Sequence, residues 1–471
     1  FKIPWQLTLD VPDKALAFAN TPQAAERALG AGTKRVTFAQ TRPLPSYLVA
    51  FAVGPFEIVD AGKAGRKPTP VRIIVPKGKT EEAAYAVKTT GEVVKRLEDY
   101  FDIPYPYEKL DHIAVPQKGG AMENPGLITY GTGTILGRPG EKNIGLERGY
   151  LSIAAHELGH IWFGDLVTTS WWDDIWLNEA FATWISAKIV HEIHPEWQSD
   201  AGRVQSRNGV MRGDALASAR RIRQPIESKN DIANAFDGIT YQKGAAVIEM
   251  WENFFGPEKF RDGVRRYLKK HADGNATAHE FLTDVEGETN QPVLAAGFAT
   301  FLDQPGYPLV KASLECSKGQ PAKVTLSQKR YRALGTAGLP DQSWLVPVCV
   351  RHPGGRTCQL LTDKPAEVVL ENTGKGCPAW VLPNAGGVGY YRTDYQGDLL
   401  KKVLADGGKA LTVPERLSVL GDVQALVTAG TLPAGQALEL VPALARDFNR
   451  FIVGATAGII GGLSDHYVPD D

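Results

Sequence analysis

His156, Glu157 and His160 occur together in the run HELGH, and Glu179 follows in LNEAF, nineteen residues after the second histidine. On a helix of 3.6 residues per turn, positions i and i+4 stack on one face. Both imidazoles therefore point the same way, with Glu157 beside them. Two neutral imidazoles make a zinc-ligand pair, and a neighbouring carboxylate is placed to take a proton from a metal-bound water. With nine histidines and 26 glutamates in the chain, an accidental H-E-x-x-H is expected on the order of 0.01 times. Coincidence is a weak rival.

Two histidines leave zinc short of protein ligands, because a catalytic site typically has three and an open position for water. Glu179 lies in DDIWLNEAFATWISAKIV, whose apolar residues recur at helical spacing and predict a second helix packed beside the first. Among Trp176, Leu177 and Phe181 its carboxylate is expected to be buried, and a buried carboxylate needs a cation. Zinc on His156, His160 and Glu179 would bring the pKa of its water down to about 7. Glu157 would remove that proton as the water attacks a carbonyl and pass it to the leaving amine. The implied chemistry is hydrolysis of an amide.

Whether such a site cuts inside a chain or at its end depends on another stretch, GGAMENPGLITY. An extended AMEN segment beside the cleft can run antiparallel to a peptide, with Gly119 and Gly120 allowing close approach of backbones. Glu123 is then free to hold the ammonium of a substrate N-terminus.

The elements that must position these groups are legible from periodicity. Residues 1–78 alternate apolar and polar positions (WQLTLDV, KRVTFAQT, SYLVAFAV, VRIIVP) and read as antiparallel strands. From Glu81 the period becomes helical. A short strand, HIAVP, precedes the Gly-rich loop, and a mostly helical stretch runs from about 147 to 302. Strands restart at LVKASLEC, AKVTLSQKRY, SWLVPVCVRH, CQLLTD and AEVVLEN, spaced as in a β-sandwich. After about Gln396 helices return. No internal repeat or low-complexity segment stands out.

Bulk properties narrow the classes further. A chain of 471 residues exceeds one hydrophobic core. Fifty-two basic against 53 acidic residues give a net charge of −1, with no basic stripe for nucleic acid. The apolar run FIVGATAGIIGGL (451–463) falls short of the roughly 20 residues that span a bilayer, so no membrane span is expected. Cys316, Cys349, Cys358 and Cys377 cluster in the strand-rich stretch and lack a close C-x-x-C pair. They read as two disulfides rather than a zinc ribbon, and imply a secreted or periplasmic setting. The opening FKIPW, without an initiator methionine or a signal segment, reads as a processed or trimmed chain. Oligomeric state has no signal in the sequence.

Taken together, GGAMEN and HELGHIWFGDLVTTSWWDDIWLNEAFATW resemble the exopeptidase motif and the H-E-x-x-H-x18-E signature of the M1 family of zinc aminopeptidases, of alanyl/leucyl, bacterial-like type. The likeness extends to TRPLPSYLVAFAVGPFE, GITYQKGAAVIEM and TLSQKRY. It implies a multidomain α+β fold: the C-terminal part of a β-rich N-terminal domain over 1–78, a thermolysin-like, mostly helical catalytic domain over 79–307, a β-sandwich over 308–395 and the start of a helical domain over 396–471. Carried over, His156, His160 and Glu179 resemble the zinc ligands, Glu157 the general base and Glu123 the anchor of the α-amino group. Gly120, Ala121, Met122 and Asn124 belong to the substrate-binding strand and loop. Tyr241 resembles the tyrosine that stabilises the tetrahedral oxyanion; by itself it reads as a core residue at a helix start. The substrates implied are peptides with a free N-terminus. Compared with the family, both ends are short, and the Gln and Glu that upstream residues normally add to the amine site are missing. Two rival readings are a thermolysin-like endopeptidase, which has no use for GGAMEN, and a catalytically silent binding scaffold, which would usually have lost a ligand or the base.

Overall fold

The computed structural model describes residues 1–289, 292–373 and 376–462. It has a β-rich N-terminal region and helical later parts, a mixed α/β architecture that divides into two compact units: Phe1–Trp197 with Glu258–Thr289, and Gln198–Pro257 with Asn290–Asp471. This division is coarser than the four segments read from sequence and cuts within 79–307. Residues 463–471, the end of the expected helical segment, lie outside the described residues.

Ten strands open the first unit: β1 (Thr8–Pro12), β2 (Leu16–Ala19), β3 (Gln23–Gly30), β4 (Thr33–Phe38), β5 (Phe51–Gly54), β6 (Phe56–Ala64), β7 (Thr69–Pro76), β8 (Leu110–Val115), β9 (Ala121–Met122) and β10 (Leu127–Gly131). The expected antiparallel pairings hold early in the chain, where β4 lies between β1 and β3 and β2 pairs with β5. Beyond them, β7 also pairs parallel with β8, building one sheet in the order β6-β7-β8-β10-β9. That sheet runs across residues 78 and 79. Parallel β7 and β8 need a crossover, and helix α1 (Ala84–Phe101) supplies it. β8 is buried on both faces, and its two polar residues, Asp111 and His112, are fully buried with it.

Helix α2 (Thr132–Ile135) is one turn, and the two helices that matter for chemistry are α3 (Ile144–His160) and α4 (Ile175–Ile193). The Asn143 side chain caps α3 by accepting from Leu146 N at 3.0 Å. The two helices lie close because Gly159 has no side chain: a Cβ there would meet Ile185 Cγ2 at 3.0 Å. Behind them is an aromatic core in which Phe163 stacks on Phe181 at 3.8 Å, Trp184 packs on Phe181 at 5.0 Å, and Phe101 stacks on both Phe181 and Trp162.

In the second unit, Pro308–Glu315, Lys323–Arg330 and Ala366–Val369 form the antiparallel part of a four-stranded sheet, and Val346–His352 pairs with Gly355–Leu361. All five match the quoted strand runs. Arg392–Tyr395, which carries no apolar alternation, joins the sheet in parallel beside Pro308–Glu315. The cysteines pair as Cys316–Cys377 and Cys349–Cys358. Helix Val413–Thr428 starts on a Thr412/Glu415 capping box and buries Leu417, Leu420 and Val423 against Ile452 and Ile459 of helix Arg450–Gly461. Among the described residues no helix is long and apolar enough to cross a membrane.

Candidate metal centre

The spacing argument holds in three dimensions. His156 and His160 project from the last turns of α3, and their Nε2 atoms lie 3.1 Å apart. Glu179, one turn into α4, places Oε2 3.4 Å from each of them. His160 and Glu179 are buried and His156 is half-buried. Among the described residues this is the cluster of His, Cys, Asp or Glu able to hold a metal ion. Tetrahedral zinc with bonds of about 2.0–2.1 Å sets neighbouring donor atoms about 3.3 Å apart, so the three separations fit such an ion. The outer nitrogen of His160, Nδ1, is 3.2 Å from Phe163 O; donating there, it leaves the Nε2 lone pair free toward the shared point.

Charge in the pocket points the same way. Four buried carboxylates, those of Glu123, Glu157, Asp165 and Glu179, act on one another or on His160. Burial raises the Glu157 carboxyl, Glu123 adds to it, and the pKa is pushed up to about 8. Asp165 is raised well above the carboxylate range by the same two causes. Burial would lower His160, yet Glu123 and Glu179 outweigh it and hold the imidazole well above its usual value. Burial would raise Glu179, and His160 and His156 instead keep it well below. This gathering of negative charge suits a cation, and a divalent ion on the same donors would balance it.

Glu123 follows the edge strand β9, which is shorter than the expected AMEN strand and covers Ala121 and Met122 alone. Gly120 precedes it at φ +63°, and its carbonyl accepts from Gly131 N at 2.9 Å. One edge of β9 pairs with β10, Met122 opposite Thr129 and Ala121 opposite Tyr130. The other is the free edge of the sheet among the described strands. Asn124 donates from Nδ2 to Leu48 O at 3.2 Å and accepts from Thr129 Oγ1 at 3.3 Å, which fixes the loop. Gly126 closes it at φ +71°, where a Cβ would fall 2.1 Å from Asn20 O.

Tyr241 belongs to the second unit. It lies half-buried in a π-helical turn, Ile239–Lys243, that leads into helix Gly244–Phe255, which places it at a helix start, as its sequence context suggests. The turn is held by Lys243, whose Nζ is 2.9 Å from Asp214 Oδ2 with both side chains fully buried, and by Arg220, which donates to Thr240 Oγ1 at 2.8 Å. Single-turn π-helices recur at functional sites.

Spacing does not pick out Asp165. Neither of its carboxylate oxygens has a hydrogen-bond partner among the described residues, and its one sequence signal is a charge inside the otherwise apolar IWFGDLV. Lys2 Nζ donates to the Asp165 backbone carbonyl at 2.6 Å.

Comparison with known proteins agrees with this geometry. Residues 85–301 match the Peptidase family M1 domain, and residues 380–471 match the ERAP1-like C-terminal domain. Aminopeptidase M1-C of Oryza sativa subsp. japonica is 32% identical over 100% of this chain and 54% of its own length. Puromycin-sensitive aminopeptidase of Caenorhabditis elegans is 31% identical over 97% and 48%. Glutamyl aminopeptidase of Rattus norvegicus is 30% identical over 98% and 50%. The chain thus spans about half the length of the curated relatives it matches.

Proposed function

The chain belongs to peptidase family M1 through residues 85–301, and from that premise we propose that it is a zinc-dependent aminopeptidase that removes the N-terminal residue of peptides. The observation that carries this reading is the meeting of His156, His160 and Glu179 within 3.4 Å of one another, in a pocket that also holds Glu157 and Glu123.

His156, His160 and Glu179 would hold the zinc, which when bound lowers the pKa of a water toward neutrality and polarises a carbonyl. Glu157 takes the water's proton and delivers it to the leaving amine; burial raises this carboxyl toward neutral pH, where one group can do both. The substrate lies along the free edge of β9 as an added strand, its backbone against Gly120, Ala121 and Met122. Glu123 pairs with the α-ammonium and so limits productive binding to chain ends. Asn124 keeps that loop in place. Tyr241 donates its hydroxyl proton to the developing oxyanion.

The finer organisation proposed is the end of a β-domain over 1–78, a thermolysin-like domain over 79–307, a β-sandwich over 308–395 and the start of a helical domain over 396–471. The two disulfides support an oxidising, secreted or periplasmic location.

The test compares hydrolysis of alanine anilide with that of its N-acetylated form, with and without added zinc. Turnover of the free amine alone, lost to a chelator and restored by zinc, is the expected result. Equal rates on both substrates would replace this reading with an endopeptidase. One bound zinc without turnover of any aminoacyl substrate would favour a binding scaffold.

A further inference from the structure

Tyr47 sits in a short turn, Ser46–Leu48, of the first unit. Its ring is half-buried and packs at 5.2 Å against Trp172, three residues before α4 begins. The turn is fastened to the Glu123 loop at two points. Leu48 O accepts from Asn124 Nδ2 at 3.2 Å, and also from Asn20 Nδ2 at 2.9 Å, whose amide reaches Pro125 O at 2.9 Å. Tyr47 and Glu123 are thus held by one hydrogen-bonded junction.

The Tyr47 hydroxyl is shielded from solvent and has no hydrogen-bond partner among the described residues. Burial and then the charges of Glu123, Asp165 and Glu179 act on it, and the junction with the Glu123 loop sets it near these acids. A buried hydroxyl is normally paired, and a phenol both donates and accepts. An ammonium brings three donors and no acceptor. Glu123 can satisfy part of that demand, and a further carboxylate would add charge to a pocket that already holds four. A neutral oxygen adds an acceptor without adding charge.

We propose that the Tyr47 hydroxyl is a second contact for the free amine of the substrate, accepting one ammonium N–H. This rests on the aminopeptidase reading and adds to it a residue that selects for the amine.

The experiment uses the zinc-loaded chain and two competitive inhibitors, alanine hydroxamate and its des-amino counterpart, propionohydroxamate, on wild type and Tyr47→Phe. A hydrogen bond to a charged group makes a loss of about tenfold in affinity reasonable. The amine-bearing inhibitor is expected to weaken by about that factor in Tyr47→Phe, with propionohydroxamate within about twofold of wild type, and KM for alanine anilide to rise about tenfold with kcat nearly constant. Because the readout is a ratio of two affinities in one preparation, a lower folded fraction does not alter it. Equal weakening of both inhibitors, or no change in either, overturns the proposal. If wild type itself binds the two inhibitors equally well, the aminopeptidase reading fails and this one with it.

Discussion

Glu179 Oε2 lies 3.4 Å from His160 Nε2, although nineteen residues and a change of helix separate them. A carboxylate with only 8% of its side chain exposed, facing two imidazoles, has little purpose without a shared cation. Replacing it by glutamine removes the charge and keeps the shape. Glu179→Gln is expected to lose zinc affinity by at least tenfold, whereas Glu157→Gln keeps the metal and loses roughly 10²–10⁴ in kcat, the usual worth of a general acid–base group. Zinc content by elemental analysis beside anilide turnover separates the two. Wild-type turnover in Glu157→Gln would remove it as the base.

Glu123→Ala should discriminate by substrate. Free aminoacyl anilides lose most of kcat/KM, by about 10²-fold if a charged contact worth 2–3 kcal/mol is gone, while residual activity on N-acetylated substrates is unchanged. A parallel loss on both would mean that Glu123 shapes the loop and does not read the amine.

Tyr241→Phe tests whether this hydroxyl takes part in the chemistry. Loss of one oxyanion donor typically costs about 10²–10³ in kcat. KM and zinc content should stay near wild type. A variant that turns over normally would return Tyr241 to a purely structural part in its π-helical turn.

Acid stability should depend on His112. It is fully buried in β8, with Nδ1 3.1 Å from the Tyr150 hydroxyl, and burial pushes its pKa down to about 3 from 6.5. The folded chain therefore holds the neutral ring, and the unfolded chain binds the proton first as pH falls. Stability from this residue is complete above about pH 6.5 and is lost progressively down to about pH 3, by up to about 5 kcal/mol. His112→Phe is expected to flatten the thermal midpoint of the first unit between pH 6.5 and pH 4. An unchanged slope would show that other groups govern acid unfolding.

The two disulfides should differ in worth. Cys316–Cys377 closes 61 residues and Cys349–Cys358 closes 9, and loop-closure entropy gives about 4 kcal/mol for the first and about 2.5 kcal/mol for the second. Paired Cys→Ser variants compared by urea unfolding of the second unit check the order. A larger loss from the short loop would point to native-state contacts in place of chain entropy.

Local periodicity alone was enough to place His156 and His160 on one helix face with Glu157 next to it, Glu179 on a second helix, and five strands between residues 308 and 369. These features repeat within a few residues, so composition and spacing carry them. Other features depend on chain segments that meet only after folding. The sheet that joins β7 to β8 across residue 78, the pairing of Cys316 with Cys377, the parallel strand at Arg392–Tyr395 and the junction of the Tyr47 turn with the Glu123 loop leave no period in the sequence, because each is set by closing a loop of tens of residues around a shared core. The same holds for charge. His156, His160 and Glu179 are ordinary side chains along the chain, and only their common burial and approach make them a cluster that could hold a metal ion.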